Sequence, residues 1–381
     1  MQVTRRAFAP LLGIGLFALC ASTPSSAAVD RAATGYTFHF FSDVDEVSVS
    51  SHFVRQDLLL ENDFSAFLQV NHETVIVPAI DAPLGSDEAA DAITSASRPI
   101  NNLADAFQDF VKVRNEISGA AVYKRVEAGY YVSDEDDYFA QMVWTSYNHD
   151  LFDQNLNLAV GLNYAWDDIV PAEDFRSQGI PGTRETLYLS LVATQVLTPT
   201  TVLRAGIERA TVDGLQHNPY RKVYAGGGIE SEFHPNRRLR NDFFVRVSQY
   251  LGNRSSVKAD YRYYTDDWDI GSHTVGGRLS QYVTDDFVVR YRYRFYRQSA
   301  AFFYRPEYEL TQGVDGYLTG DYRMREFDAH LFGAKVFWNL NRFFENTGFI
   351  DRVDFTLGYE RYFNSTNFTA NIFESGLEMT F

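Results

Sequence analysis

The sequence predicts an all-β fold: a transmembrane, antiparallel, up-and-down β-barrel of about 16 strands. Three observations predict it. Apolar and polar residues alternate with period two in segments of about ten residues, separated by turn signals. Long and short gaps between those segments sort by strand parity, as the two ends of a membrane barrel require. Aromatic residues reach 15%, with 24 Tyr and 31 Phe, which suits aromatic girdles at two membrane interfaces. No run of 18 apolar residues exists that would span a bilayer as a helix.

Residues 1–28 read as a signal peptide cleaved after Ala28, leaving 29–381 as a single barrel domain. Arg5 and Arg6 supply the positive region, Leu11 to Ala21 a short apolar run, and Ser26-Ala27-Ala28 the small residues of a cleavage site. Thr4-Arg5-Arg6-Ala7-Phe8 has a twin-arginine flavour, but two arginines of a general secretory leader are the simpler reading. Cys20 follows Leu19, a poor match to a lipoprotein anchor. It leaves with the leader, so the mature chain has no cysteine; disulfides, Cys-ligated metals and Cys-x-x-Cys haem sites are excluded. Loss of Arg5 and Arg6 takes the net charge from −16 to −18. That opposes nucleic-acid binding, which rests on neutralising phosphates.

The strands are expected at 36–43, 46–59, 64–78, 112–123, 125–133, 138–148, 155–166, 185–197, 201–212, 241–251, 256–266, 272–283, 286–298, 326–338, 353–363 and 367–381. With the N-terminus in the periplasm, the long gaps 79–111, 167–184, 213–240 and 299–325 all follow outward strands. Glu61-Asn62-Asp63, Thr198-Pro199-Thr200, Gly252-Asn253-Arg254 and Thr284-Asp285 are short turns after returning strands. The segment 339–352 is the exception, long where a short turn is expected. A closed sheet is required because hydrocarbon offers no partner to an unpaired backbone group.

In the first long loop, Leu103, Ala106, Phe107 and Phe110 fall at i, i+3, i+4, i+7, the spacing of a short amphipathic helix capped by Asn101 or Asn102. It is expected either in the barrel mouth or over the outer rim. At the C-terminus, Gly376, Leu377, Met379 and Phe381 resemble the terminal signal read by the barrel assembly machinery. Leu377, Met379 and Phe381 share one strand face, and Glu378 and Thr380 the other.

Functional candidates follow from the alternation. In Arg290–Arg297, Tyr291, Tyr293 and Phe295 share one face, and Arg290, Arg292 and Arg294 the other. A charge facing lipid near the midplane costs about 2–4 kcal/mol, so the arginines are expected to face the lumen. The same logic turns Arg204, Glu208, Arg246, Lys258, Asp260, Arg262, Arg278, Asp354 and Glu360 inward. One arc of the lumen is thus arginine-rich. Two readings stand open: a charged constriction that selects or steers anions, or a lumen stiffened by mutually neutralising pairs. Arg297 falls near the outer rim.

Acid clusters at Asp134-Glu135-Asp136-Asp137, Asp167-Asp168 and Asp266-Asp267 with Asp269 lack the ligand order of a calcium loop and read as solvated turns; no metal or cofactor is expected. His-Glu-x-x-His and Gly-x-Ser-x-Gly are both missing, and no enzymatic activity is expected. The expected partners are outer-membrane lipid and lipopolysaccharide, with the assembly machinery during biogenesis and a monomer as the default.

The stretches "HNPYRKVY", "ADYRYYTDDWDIGSHTVGGRLSQYV", "VVRYRYRFYRQSAAFFYRP" and "LTGDYRMREFDAHLFGAKV" between residues 217 and 337, with "DAITSASRP" upstream, resemble the Gram-negative domain-of-unknown-function family 3570. The resemblance implies an outer-membrane barrel and supplies no activity. It also implies that Asn218-Pro219-Tyr220-Arg221 and Tyr304-Arg305-Pro306 are loop features of the group, by default loop locks. The expected function is a porin-like channel or transporter for small solutes; the alternative is a non-conducting structural or interaction barrel.

Overall fold

A computed structural model describes residues 29–60, 63–77, 109–171, 181–344 and 349–381. Its strands are β1 Val29–Asp43, β2 Ser48–Leu60, β3 Phe64–Val77, β4 Phe110–Tyr123, β5 Val126–Asp134, β6 Tyr138–Leu151, β7 Leu156–Ile169, β8 Gly182–Thr198, β9 Thr201–Gly214, β10 Lys222–Ala225, β11 Gly228–Ser231, β12 Arg237–Leu251, β13 Ser255–Asp266, β14 Gly271–Tyr282, β15 Phe287–Gln298, β16 Phe327–Asn339, β17 Arg352–Asn364 and β18 Thr369–Thr380. All but β10 and β11 close one antiparallel barrel in chain order, shut by β1 against β18. Its 16 strands are those the alternation predicts.

Closure is tight. Ala33 to Asp43 pair with Thr380 to Ala370. The ladder continues past the last strand residue, where Phe381 N–H donates to Ala32 O (2.8 Å). The seam therefore leaves no open edge to hydrocarbon. β1 starts at Val29 rather than at residue 36. Asp30 and Arg31 hide the alternation there, but the backbone still pairs with the end of β2.

The outer face is apolar. Tyr291, Val275, Phe243, Ile207, Phe332 and Leu357 are all exposed large hydrophobics. Register places Leu377 opposite Tyr36 and Phe355, on this outer face, and turns Gly376 inward beside Thr356.

Loop lengths follow the expected parity. The strand ends that flank 78–109, 170–181, 215–236 and 299–326 lie at one end of the barrel, and the start of β1 and the end of β18 lie at the other. The exceptional segment 340–351 opens with a 3-10 turn, Asn341–Phe343, tied back to β17 by Asn341 Oδ1, which accepts from Val353 N–H (2.8 Å). The unforeseen hairpin β10–β11 stands in 215–236. The helix expected from Leu103, Ala106 and Phe107 lies outside the described residues; Phe110 itself opens β4. No α-helix occurs among the described residues.

Candidate functional site

The registers decide which face the charges share. Arg204 stands opposite Arg246, Arg246 opposite Asp260, and Asp260 opposite Gly276, which meets Arg294. One row over, Lys258 faces Arg278 and Arg278 faces Arg292; Glu360 follows across Gly333. Glu208 opposes Asp242, two strand steps from Arg262. Asp354 lies six residues before Glu360, on the same face. All twelve charged residues singled out in the sequence therefore share one face.

That face is the concave one. Arg292 donates to Glu360 (2.9 and 3.1 Å) over the intervening strand β16, and Arg262 reaches Glu208 (3.5 Å) over β12. Lys335 pairs with Glu374 over β17. Bonds that skip a strand form where side chains converge, inside a closed sheet, and not where they diverge. Glycine makes room for two of them. A Cβ on Gly333 would stand 2.7 Å from Glu360 Cγ, and Gly358 lies against the Lys335 side chain.

Charge pairing differs sharply around the wall. Arg246 pairs with Asp260 (3.8 Å), Arg262 also with Asp242 (3.5 Å), and Arg352 with Asp354. Arg204, Lys258, Arg278, Arg290 and Arg294 make no ion pair among the described residues. Arg290 donates to Ser280 Oγ (3.0 Å) and lies over Phe337; Arg294 lies over Tyr296. Arg297 is on the outer face at the long-loop end, held by Glu326 (3.2 Å) and Asp328 (3.5 Å).

The opposite wall carries residues that the sequence reading passed over. Strands β3 to β5 stand half-way round the ring from β13 to β15. There Arg114 pairs with Glu73 (2.5 Å) and Glu116 (3.5 Å), and Tyr131 donates to Glu116 (2.5 Å). Lys112 is held by Glu135 (2.5 Å) and Asp137 (2.9 Å), and Glu127 accepts from Trp144 Nε1 (2.7 Å). The signal was present in "VKVRNEI", where Lys112, Arg114 and Glu116 alternate with exposed Val111, Val113 and Ile117. Of the acid clusters expected as solvated turns, Asp134, Asp136, Asp168, Asp267 and Asp269 are exposed, and the expectation is corrected for the other four. Glu135 and Asp137 neutralise Lys112; Asp167 holds Arg184 (2.8 Å), and Asp266 holds Arg238 (2.5 Å). Each acid sits at a strand end, where a neighbouring strand presents a cation.

The long loops build a packed cap at their end of the barrel. Phe303 and Trp268 are fully buried against each other (5.2 Å between rings), with His234 against both. The four quoted motifs between residues 217 and 337 meet in this cap. Arg221 lies between Glu232 (3.5 Å) and Asp321 (3.0 Å), all three nearly sealed from solvent. Glu232 also accepts from Asn218 N–H (3.1 Å), Thr319 Oγ1 (3.0 Å) and Gly320 N–H (3.1 Å). Tyr308 Oη donates to Phe303 O (2.9 Å) and accepts from the N–H groups of Thr319 (3.0 Å) and Arg305 (3.3 Å). Asn218-Pro219-Tyr220-Arg221 thus ties loop 215–236 to loop 299–326 through Arg221 and Asp321, whereas the hydrogen bonds of Tyr304 and Arg305 stay within loop 299–326. Burial alone would raise the Asp321 carboxyl, but hydrogen bonds from Arg323 and the charge of Arg221 outweigh it and hold it at about 2. Burial likewise opposes ionisation of Glu232, and His234 with Arg221 still keep it below the usual carboxylate range. Burial, helped by His234, lowers the His217 imidazole.

A family profile described as "Protein of unknown function (DUF3570)" matches residues 84–370, which hold β4 to β17 and these motifs. The chain belongs to this family. No curated protein matches a DUF3570 chain of this sequence. Among solved structures, it is similar to the outer membrane protein OmpT of Vibrio cholerae in a loop L8 deletion form, at 11% identity and TM-score 0.43, over 94% of this chain and 100% of that one. It is similar to OccK1 (OpdK) of Pseudomonas aeruginosa at 9% identity and TM-score 0.45, over 92% and 98%. Similarity to OccAB4 of Acinetobacter baumannii is 8% at TM-score 0.41, over 94% and 100%. At such distances the function of this DUF3570 barrel has to be argued from its own residues.

Proposed function

We propose that this barrel is a passive channel for small solutes in the outer membrane, biased towards anions. The observation that carries the reading is the cluster of Lys258, Arg278 and Arg290, basic side chains that make no ion pair among the described residues. They stand on an inner wall that solvent reaches: the side chain of Arg262 is 46% exposed and that of Arg292 31%. A pore lined by one sign of charge concentrates the opposite ion. The facing wall, with Glu73, Glu116 and Glu127, sets a field across the lumen. The apolar outer face and the loop asymmetry support a place in the outer membrane with the long loops outside, reached by way of the leader expected at 1–28.

Planar bilayer recording in a KCl gradient tests this. Stepwise conductance with a reversal potential on the anion side is expected. A second reading, a non-conducting structural barrel, is favoured by the paired network of Arg114, Glu73 and Glu116 and by the locked cap. Purified full-length protein that inserts and yet passes no current would select it.

A further inference from the structure

At the long-loop end the inner wall departs from its polar pattern. Near the long-loop end, Phe41, Leu331 and Ile372 point inward from three strands, with the small residues Ala329 and Ala370 beside them. Above this apolar floor is a cavity of about 470 Å³. Such a volume lies within the range of small-molecule sites, roughly 300–1,000 Å³. Tyr296 packs against Phe327 (5.6 Å) at one side, and Tyr362 against Phe368 (5.9 Å) at the other.

The cavity has a roof and a charge. Tyr322 and Arg323 of loop 299–326 cover it, and Gln298 Nε2 fastens their backbone by donating to Arg323 O and Arg325 O (both 2.8 Å). Arg323 is occupied by Asp321 (2.7 Å). Arg294 lines the cavity, directly across from Leu331, and has no ion pair among the described residues. A water-filled lumen gives no reason to gather apolar side chains and leave space over them. A ligand with a flat apolar body and one anionic group would satisfy both the rings and the guanidinium.

We propose that this recess binds a small aromatic carboxylate, its ring between Tyr296 and Tyr362 and its carboxylate on Arg294. The site stands in the proposed path and names the solute class that path would select, so its role in transport rests on the channel reading. Binding and passage are measured separately.

The test uses the full-length barrel in lipid nanodiscs, titrated calorimetrically with 1-naphthoate against empty nanodiscs. Saturable binding is expected. Arg294→Gln should weaken it at least about tenfold, as loss of a charge-assisted hydrogen bond does. Ala370→Phe, which fills the recess, should abolish it. 1-Naphthalenemethanol, with the ring but no charge, and octanoate, with the charge but no ring, should each bind more weakly than 1-naphthoate. Heat-modifiable gel mobility confirms that each variant is folded. No saturable binding by the wild type, or wild-type affinity in whichever of the two variants folds, would overturn the proposal. So would octanoate binding as tightly as 1-naphthoate. A barrel that conducts but does not bind 1-naphthoate sinks the site alone; one that binds but does not conduct sinks the channel alone.

Discussion

Arg278→Glu is the sharpest test of the charged wall. Arg278 lies between Lys258 and Arg292 in register, so three cations occupy adjacent strands. The substitution changes the local charge by two units. For an anion passing about 6 Å away in water-like surroundings, that raises its energy by about 1.4 kcal/mol, about a tenfold change in local occupancy. At 0.1 M salt the screening length of about 10 Å cuts the effect roughly in half, so the recording belongs at low ionic strength. The reversal potential in a KCl gradient should move towards the cation side by a severalfold change in permeability ratio. Stability should rise or hold, because a like-charged cross-strand row becomes an alternating one, at roughly 0.2–1 kcal/mol per pair. An unchanged reversal potential in a well-folded variant would refute the assignment of this row to the conducting path.

Four further outcomes are expected. Gly333→Val should leave the barrel intact but push Glu360 off Arg292, shifting the reversal potential further towards anions. Arg221→Met takes the guanidinium from the buried Glu232 and leaves Asp321 only Arg323, at a cost of about 3–5 kcal/mol; hydrogen exchange should rise in loops 215–236 and 299–326 and not in the strands. The cap should also loosen in acid. The Asp321 carboxyl is lowered from 3.8 to about 2 in the folded protein, so its stabilisation is complete above about 4 and lost as pH falls towards 2. His217 is lowered from 6.5, so its contribution fades first, from about that pH downward; protease cleavage of the loops against pH reads both. Removing Phe381 should reduce the heat-modifiable barrel recovered from membranes, since it takes away the last rung to Ala32 and the end of the proposed assembly signal.

Much of the fold was legible because strand alternation is local. Tyr291 beside Arg292 already states that one faces lipid and the other does not, because a charge in hydrocarbon is expensive. Loop parity needed only the order of long and short gaps. Asp266 was not legible: next to Asp267 and Asp269 it looks like a solvated acid, and only the fold brings Arg238 to it. The recess was not legible either. Phe41, Leu331 and Ile372 are ordinary apolar residues until the barrel closes and turns them inward together.

The sequence by itself determined which side chains share a strand face, since that depends on backbone period alone. The tertiary structure decided who meets whom, because register and closure join residues far apart in the chain. Arg292 finds Glu360 over Gly333, while Arg278, in the same row, stands between Lys258 and Arg292. Arg221 joins Glu232 and Asp321 only when two loops fold over one barrel mouth.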